Sequence, residues 1–236
     1  MMIFGSMLLM ACGNNTETNE AMKSPADKTD ENKKNENDMI KKTSVTDGSA
    51  LASKAKTIEN LLDAFKGETT ASAKYAAYSK KAEQEGQHQI ALLFKAASLS
   101  EGIHAGNHKS VLEESGTPVS VISPKYTVKS TKENLEDAIK GETYEVVTMY
   151  PQFITIANEA GNQLALISLN YAYKTEKKHK VLYENALMAL QNNNVKSLGV
   201  VFYVCPTCGN TYETIAPKRC GISMTGSEKF IKITTI

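Results

Sequence analysis

Apolar and polar positions along the chain change rhythm three times. Residues 2–11 (MIFGSMLLMA) form a short apolar run that closes at Cys12. Residues 13–50 are dominated by Asn, Thr, Lys, Glu and Asp, with almost no aliphatic side chains. Such a stretch buries too little apolar surface to offset its chain entropy, so it is expected to be a disordered tether. From Thr57 onward apolar residues recur at helical spacing, as in Ile58, Leu61, Leu62 and Phe65. The pattern predicts helices over about 57–85, 88–115, 131–159 and 162–193, with Gly86 and Gly161 at matching helix ends. Residues 199–236 change again: a strand-like run, Val200–Val204, leads into a cluster of cysteines.

The helical part is duplicated. Residues 59–69 (ENLLDAFKGET) recur at 133–143 as ENLEDAIKGET, and Glu101-Gly-Ile-His104 recurs as Glu176-Lys-Lys-His179. Each half is a hairpin with a short turn, and residues 116–130 are too long for a tight turn and are expected to cross between the halves. Two hairpins with one long crossover make a four-helix bundle. The expected domains are a signal segment at 1–12, the tether at 13–50, an all-α bundle at 51–195 and a small β module at 196–236.

Composition narrows the function. With 236 residues, 41% hydrophobic and 22% charged, the chain can build a core. A net charge of +1 removes the main argument for a nucleic-acid partner. Four cysteines are too few for a disulfide scaffold, and no apolar run approaches the roughly 20 residues of a membrane-spanning helix. The ending Leu9-Met10-Ala11-Cys12 resembles a bacterial lipobox, so Cys12 is the expected lipidation site of an exported, membrane-anchored bacterial lipoprotein.

The repeat carries the chemistry. Each half offers a lone Glu on its first helix (Glu68, Glu142) and a Glu-x-x-His on its second (Glu101/His104, Glu176/His179). Residues three apart share a helix face, and this arrangement is the one found in di-iron carboxylate bundles. Several carboxylates in an apolar bundle resist ionising unless cations neutralise them. Oxygen and imidazole donors without sulfur favour iron or manganese over structural zinc. Glu145 breaks the repeat, since its counterpart is Ala71, and a surplus carboxylate on one side points to a redox site. Glu85-Gly-Gln-His88 has the same spacing but carries Gly86 at a helix end, so its side chains need not share a face. His108 lacks the pattern and reads as a surface or packing histidine.

Cys205-Pro-Thr-Cys208-Gly is a metal knuckle, and a second begins at Cys220, where Ser223 stands in the place of a fourth cysteine. Three thiolates and a serine oxygen could hold iron or zinc; a dithiol redox pair at Cys205/Cys208 is the alternative.

Together, NLLDAFKGET, Glu101-x-x-His104, KGETYE followed by MYPQF, Glu176-x-x-His179, and FYVCPTCG followed by APKRC resemble the rubrerythrin family over about residues 57–236. The resemblance implies an all-α ferritin-like four-helix bundle followed by a rubredoxin-like domain. It implies two irons held by Glu68, Glu101, His104, Glu142, Glu145, Glu176 and His179, with Tyr75 and Tyr150 beside them. Cys205, Cys208, Cys220 and Ser223 would hold one further iron or zinc. The implied activity is reduction of hydrogen peroxide to water, with Glu145 and His104 as the switching pair and an NADH-linked or other donor supplying electrons. A homodimer is expected. Ser223 and the export signal depart from the family and favour a rival reading, an iron-binding ferroxidase with a degenerate module. A module holding zinc structurally and a thiol oxidoreductase are further alternatives.

Overall fold

The computed structural model describes residues 31–236, with side chains from Gly48 onward; residues 1–30, including Cys12, lie outside the described residues. The chain divides into units Met1–Ser44 and Val45–Ile236, and the second holds the helical bundle and the cysteine module. Helix α1 runs Glu31–Gln84, so residues 31–50, expected as disordered tether, are helical. The segment lacks proline, and Lys34, Asp38 and Lys42 stand four apart with alternating charge, a spacing that supports helix without any apolar stripe.

Helix α2 (His88–Glu114) follows a tight reversal at Gly86, whose φ of +74° only glycine adopts without cost. There Gln87 N–H reaches back to Ala82 O at 2.8 Å, closing the helix end. The second half repeats the device at Gly161, φ +65°, with Asn162 N–H on Ala157 O at 3.0 Å. Residues 118–130 form a crossover without regular secondary structure, pinned where Asn134 accepts from Lys129 N–H and donates to Lys129 O, and Ser130 with Glu133 builds a capping box that starts α3 (Thr131–Tyr144).

The third predicted helix is broken. α3 gives way to a π-helical turn, Glu145–Met149, before α4 (Tyr150–Glu159). Pro151 supplies the cause, because it cannot donate to the carbonyl four residues back and its ring crowds that carbonyl. The widened turn lets Tyr150 N–H bond Glu145 O instead. Helix α5 (Gln163–Gln191) completes the bundle, with Asn162 as its N-cap.

The core forms two clusters. One gathers Tyr75, Tyr78, Phe94, Leu135 and Tyr183 with Phe202, Val204 and Ile233 of the C-terminal module. The other gathers Leu61, Leu112, Tyr150, Ala157 and Leu169. The module itself is an antiparallel sheet of β1 (Phe202–Val204), β2 (Thr211–Glu213) and β3 (Ile231–Ile233), in the order β2-β1-β3. Three strands of three residues are too small to stand alone. Burying Phe202 and Val204 against the bundle is what holds the sheet in place.

Candidate metal centre

Glu68 on α1, Glu101 and His104 on α2, Glu142 on α3, and Glu176 and His179 on α5 converge in the buried middle of the bundle. They form two overlapping groups. Glu68, Glu101, His104 and Glu176 make one; Glu142, Glu101, Glu176 and His179 make the other. Glu101 and Glu176 belong to both. His104 Nδ1 lies 2.9 Å from Glu101 Oε2 and 2.7 Å from Glu176 Oε1. His179 Nδ1 lies 3.1 Å from Glu101 Oε1 and 2.8 Å from Glu176 Oε2. Each shared carboxylate thus turns one oxygen to each histidine, while Glu68 and Glu142 close the two ends.

The outer faces of the rings are fixed by the C-terminal module. His104 Nε2 is 3.0 Å from the backbone oxygen of Cys208, which can only accept, so this nitrogen carries a hydrogen. His179 Nε2 is 2.9 Å from Thr211 Oγ1, whose own hydrogen goes to Gly209 O at 3.2 Å; here too the ring donates. In the neutral ring both Nδ1 lone pairs then face carboxylate oxygens. Two tyrosines orient the end carboxylates: Tyr75 donates to Glu142 Oε1 at 2.9 Å, and Tyr150 donates to Glu68 Oε1. Each tyrosine reaches the Glu of the other half of the repeat.

This donor set fits a pair of divalent cations. Among the described residues, both Nδ1 atoms, Oε2 of Glu68 and Glu142, and both oxygens of Glu101 and Glu176 find no hydrogen-bond partner although buried. Without cations the charges resist crowding. Burial, reinforced by Glu176 and Glu101, pushes the Glu68 carboxyl up to about 8. Burial likewise raises Glu142, with Glu176 and Glu145 adding to it. Against burial, Glu176 and Glu101 hold His104 well above the usual histidine range, and Glu101 and Glu176 lift His179 to about 9. For Glu101 burial is outweighed by His179 and His104, which bring it to about 2.

Glu145 stands apart from both groups of four. It begins the π-helical turn and, with Asp63, Lys66, Lys74 and Tyr75, lines a surface pocket of about 310 Å³. Burial raises its carboxyl, helped by Glu68 and Glu176, so its charge reaches the cluster although its oxygens do not join it. Glu85 and His88 are elsewhere: Glu85 accepts from Thr131 N–H, and His88 Nδ1 meets Glu83 at 2.9 Å. His108, expected at the surface or in packing, is fully buried and hydrogen-bonded to Tyr150 and Ser168. Those partners lie 42 and 60 residues away, so no local spacing announced them; the repeat, which sets Tyr75 against Tyr150, was the available signal.

Cys205, Cys208 and Cys220 are buried and free, with Cys208 Sγ 3.4 Å from Cys220 Sγ. The two knuckles are built alike. Gly209 N–H bonds Cys205 O and Met224 N–H bonds Cys220 O, and residues 209 and 224 both adopt positive φ. The second knuckle keeps its backbone despite Ser223, whose hydroxyl lies 3.2 Å from Cys205 Sγ. Bonding to Cys208 leads in lowering the Cys205 thiol, with Ser223 adding to it, and the same bond together with burial raises Cys208, so without metal the pair shares one proton. Gly209 also permits close docking: a Cβ there would fall 2.4 Å from His104 Nε2.

A family model described as Rubrerythrin matches residues 59–187. Rubrerythrin-2 of Clostridium acetobutylicum is 33% identical over 177 residues, 75% of this chain and 96% of that protein. Nigerythrin of Nitratidesulfovibrio vulgaris is 34% identical over 177 residues, 74% of this chain and 85% of that protein. A solved structure of nigerythrin in a mixed-valence state superposes with a TM-score of 0.68 at 33% identity, covering 75% of this chain and 86% of that one. A bacterioferritin of Desulfovibrio desulfuricans, 21% identical with a TM-score of 0.57, shares the fold.

Proposed function

Since the chain belongs to the rubrerythrin family, we propose that it is a di-iron peroxidase that reduces hydrogen peroxide to water with electrons passed through its cysteine site. The observation that carries this reading is the hydrogen bond from His104 Nε2–H to the carbonyl of Cys208. It joins a residue of the carboxylate cluster to a cysteine of the sulfur site without an intervening side chain.

Glu68, Glu101, His104, Glu142, Glu176 and His179 would hold two irons, with Glu145 as a seventh, movable ligand. Bound iron supplies electrons and Lewis acidity to the peroxide oxygens. The chain supplies the rest. Tyr75 and Tyr150 hold one oxygen of Glu142 and Glu68 by hydrogen bonds and leave the other oxygen free for metal. Splitting peroxide into two waters consumes two electrons and two protons. Glu145, whose carboxyl is raised by burial, is a proton carrier beside the 310 Å³ pocket through which a small substrate enters. Cys205, Cys208 and Cys220 with Ser223 would hold a third metal, iron or zinc. Lipid attachment at Cys12, export, a homodimer and an external electron donor belong to the same proposal.

The rival reading, an iron-oxidising and iron-binding protein, draws on Ser223 standing where a fourth sulfur would complete the relay. Anaerobic protein loaded with ferrous iron separates the two. Rapid mixing with stoichiometric hydrogen peroxide, and separately with oxygen, is followed by absorbance. Oxidation of two bundle irons per chain much faster by peroxide than by oxygen supports the peroxidase. Faster reaction with oxygen supports iron handling, and a bundle that takes up no iron defeats both.

A further inference from the structure

His108 sits on α2 one turn beyond His104 and is completely buried. Its Nδ1 is 2.7 Å from Ser168 Oγ on α5, and its Nε2 is 3.2 Å from Tyr150 Oη on α4. With Glu68 ionised, as a metal ligand must be, the hydrogens in this chain have one arrangement. Tyr150 has a single hydroxyl hydrogen, and Glu68 Oε1 takes it. The phenol oxygen therefore accepts from His108 Nε2–H. That leaves His108 Nδ1 bare, and Ser168 Oγ–H donates to it. Burial pushes the imidazole down to about 3, which keeps the ring neutral and the arrangement directional. All the hydrogens point from Ser168 toward Glu68.

The repeat supplies an internal comparison. An offset of 75 carries Tyr75 onto Tyr150, His108 onto Tyr183, and Leu93 onto Ser168. The Tyr75–Glu142 pair is thus the counterpart of the Tyr150–Glu68 pair. Behind Tyr75 stands Tyr183, with ring centroids 5.5 Å apart, and the Tyr183 hydroxyl finds no hydrogen-bond partner among the described residues. One tyrosine is backed by a donor and the other by an aromatic ring.

We propose that His108 is a positioning residue that acts through Tyr150 to fix Glu68, making the Glu68 end of the metal site unlike the Glu142 end. A phenol that accepts one hydrogen bond donates its own more strongly, because the chain polarises along its length. The Tyr150–Glu68 bond then holds Oε1 and presents Oε2 alone to the cluster. At the Glu142 end no imidazole donates to Tyr75, and Glu142 is freer to change its coordination. The asymmetry adds to the one made by Glu145, a carboxylate in the second half of the repeat whose counterpart in the first is Ala71. The inference rests on the six clustered residues being metal ligands.

The test uses cobalt(II) as the probe, titrated into metal-free full-length protein and followed by its visible absorbance. Wild-type protein takes up two ions in the bundle. His108→Leu, which keeps volume and removes the donor, weakens one of the two steps about tenfold and leaves the other within about twofold, tenfold being about 1.4 kcal/mol. His108→Gln, whose amide N–H replaces Nε2–H, restores most of that loss. Tyr183→Phe changes neither step. Should His108→Leu fail to fold, Ser168→Ala serves in its place, since it frees the ring to lose its Nε2 hydrogen and weakens the same step about threefold. Equal weakening of both steps, no weakening, or no rescue by Gln in a folded protein overturns the inference. No cobalt uptake in the wild-type bundle, whatever the cysteine site takes up, defeats the ligand assignment itself.

Discussion

Two glycines with the same backbone handedness separate strain from close approach. Gly86 and Gly209 have φ of +74° and +76°. A Cβ at Gly86 meets nothing within 4 Å, whereas one at Gly209 falls 2.4 Å from His104 Nε2 and 2.7 Å from Ser100 Oγ. Replacing either by alanine incurs the left-handed backbone penalty, about 1–2 kcal/mol. At Gly209 the module must also retreat from α2. That retreat breaks Ser100 Oγ–H on Gly209 O (2.7 Å) and His104 Nε2–H on Cys208 O (3.0 Å), each worth about 0.5–1.5 kcal/mol. Gly86→Ala is therefore expected to cost about 1–2 kcal/mol and Gly209→Ala about 2–5 kcal/mol. Denaturant unfolding of both variants measures the difference. The proton spectrum gives a second readout, because the His104 Nε2–H resonance, shielded from exchange by its bond to Cys208, is lost in Gly209→Ala alone. If Gly209→Ala costs no more than Gly86→Ala and keeps that resonance, the close docking of module on histidine is refuted.

Other outcomes follow from charge and from sulfur. Metal-free protein should lose stability as pH rises from about 5 to 9. Glu68, raised to about 8 by burial, contributes fully only below the ordinary carboxylate range, and that contribution is gone once pH passes 8. His179, lifted to about 9 by Glu101 and Glu176 against burial, contributes fully below the ordinary histidine range and is lost as pH passes 9. Metal-loaded protein should lack this decline, and parallel melting curves for the two forms across that range would disprove the account. Ser223→Cys should intensify the sulfur-to-iron absorbance of the iron-loaded module and tighten its metal binding by about tenfold or more. An unchanged spectrum would mean that the second knuckle does not direct residue 223 at the metal.

The bundle was legible because its signals are local or repeated. Glu-x-x-His shares a helix face by geometry, and the duplication of ENLLDAFKGET places Glu68 and Glu142 without any three-dimensional knowledge. The start of α1 was not legible, since residues 31–50 carry no apolar stripe and only charge spacing favours helix there. The break at Glu145–Met149 had its sign in Pro151, but which turn widens depends on packing. Glu145, three residues after Glu142 and at the start of that turn, does not join either group of four. The hydrogen bonds of His108 were illegible for another reason, because Tyr150 and Ser168 reach it only after both halves of the repeat have closed.

The hold of the C-terminal module on both imidazoles also orders events during synthesis. The four helices leave the ribosome before Cys208 and Thr211 do, so a nascent bundle can gather its carboxylates while its histidines still turn freely. The outer nitrogens of both rings gain their partners only when this later segment has emerged and docked. A chain cut short before Cys208 would lack both contacts. Synthesis of the module is thereby coupled to fixing the rings of the centre.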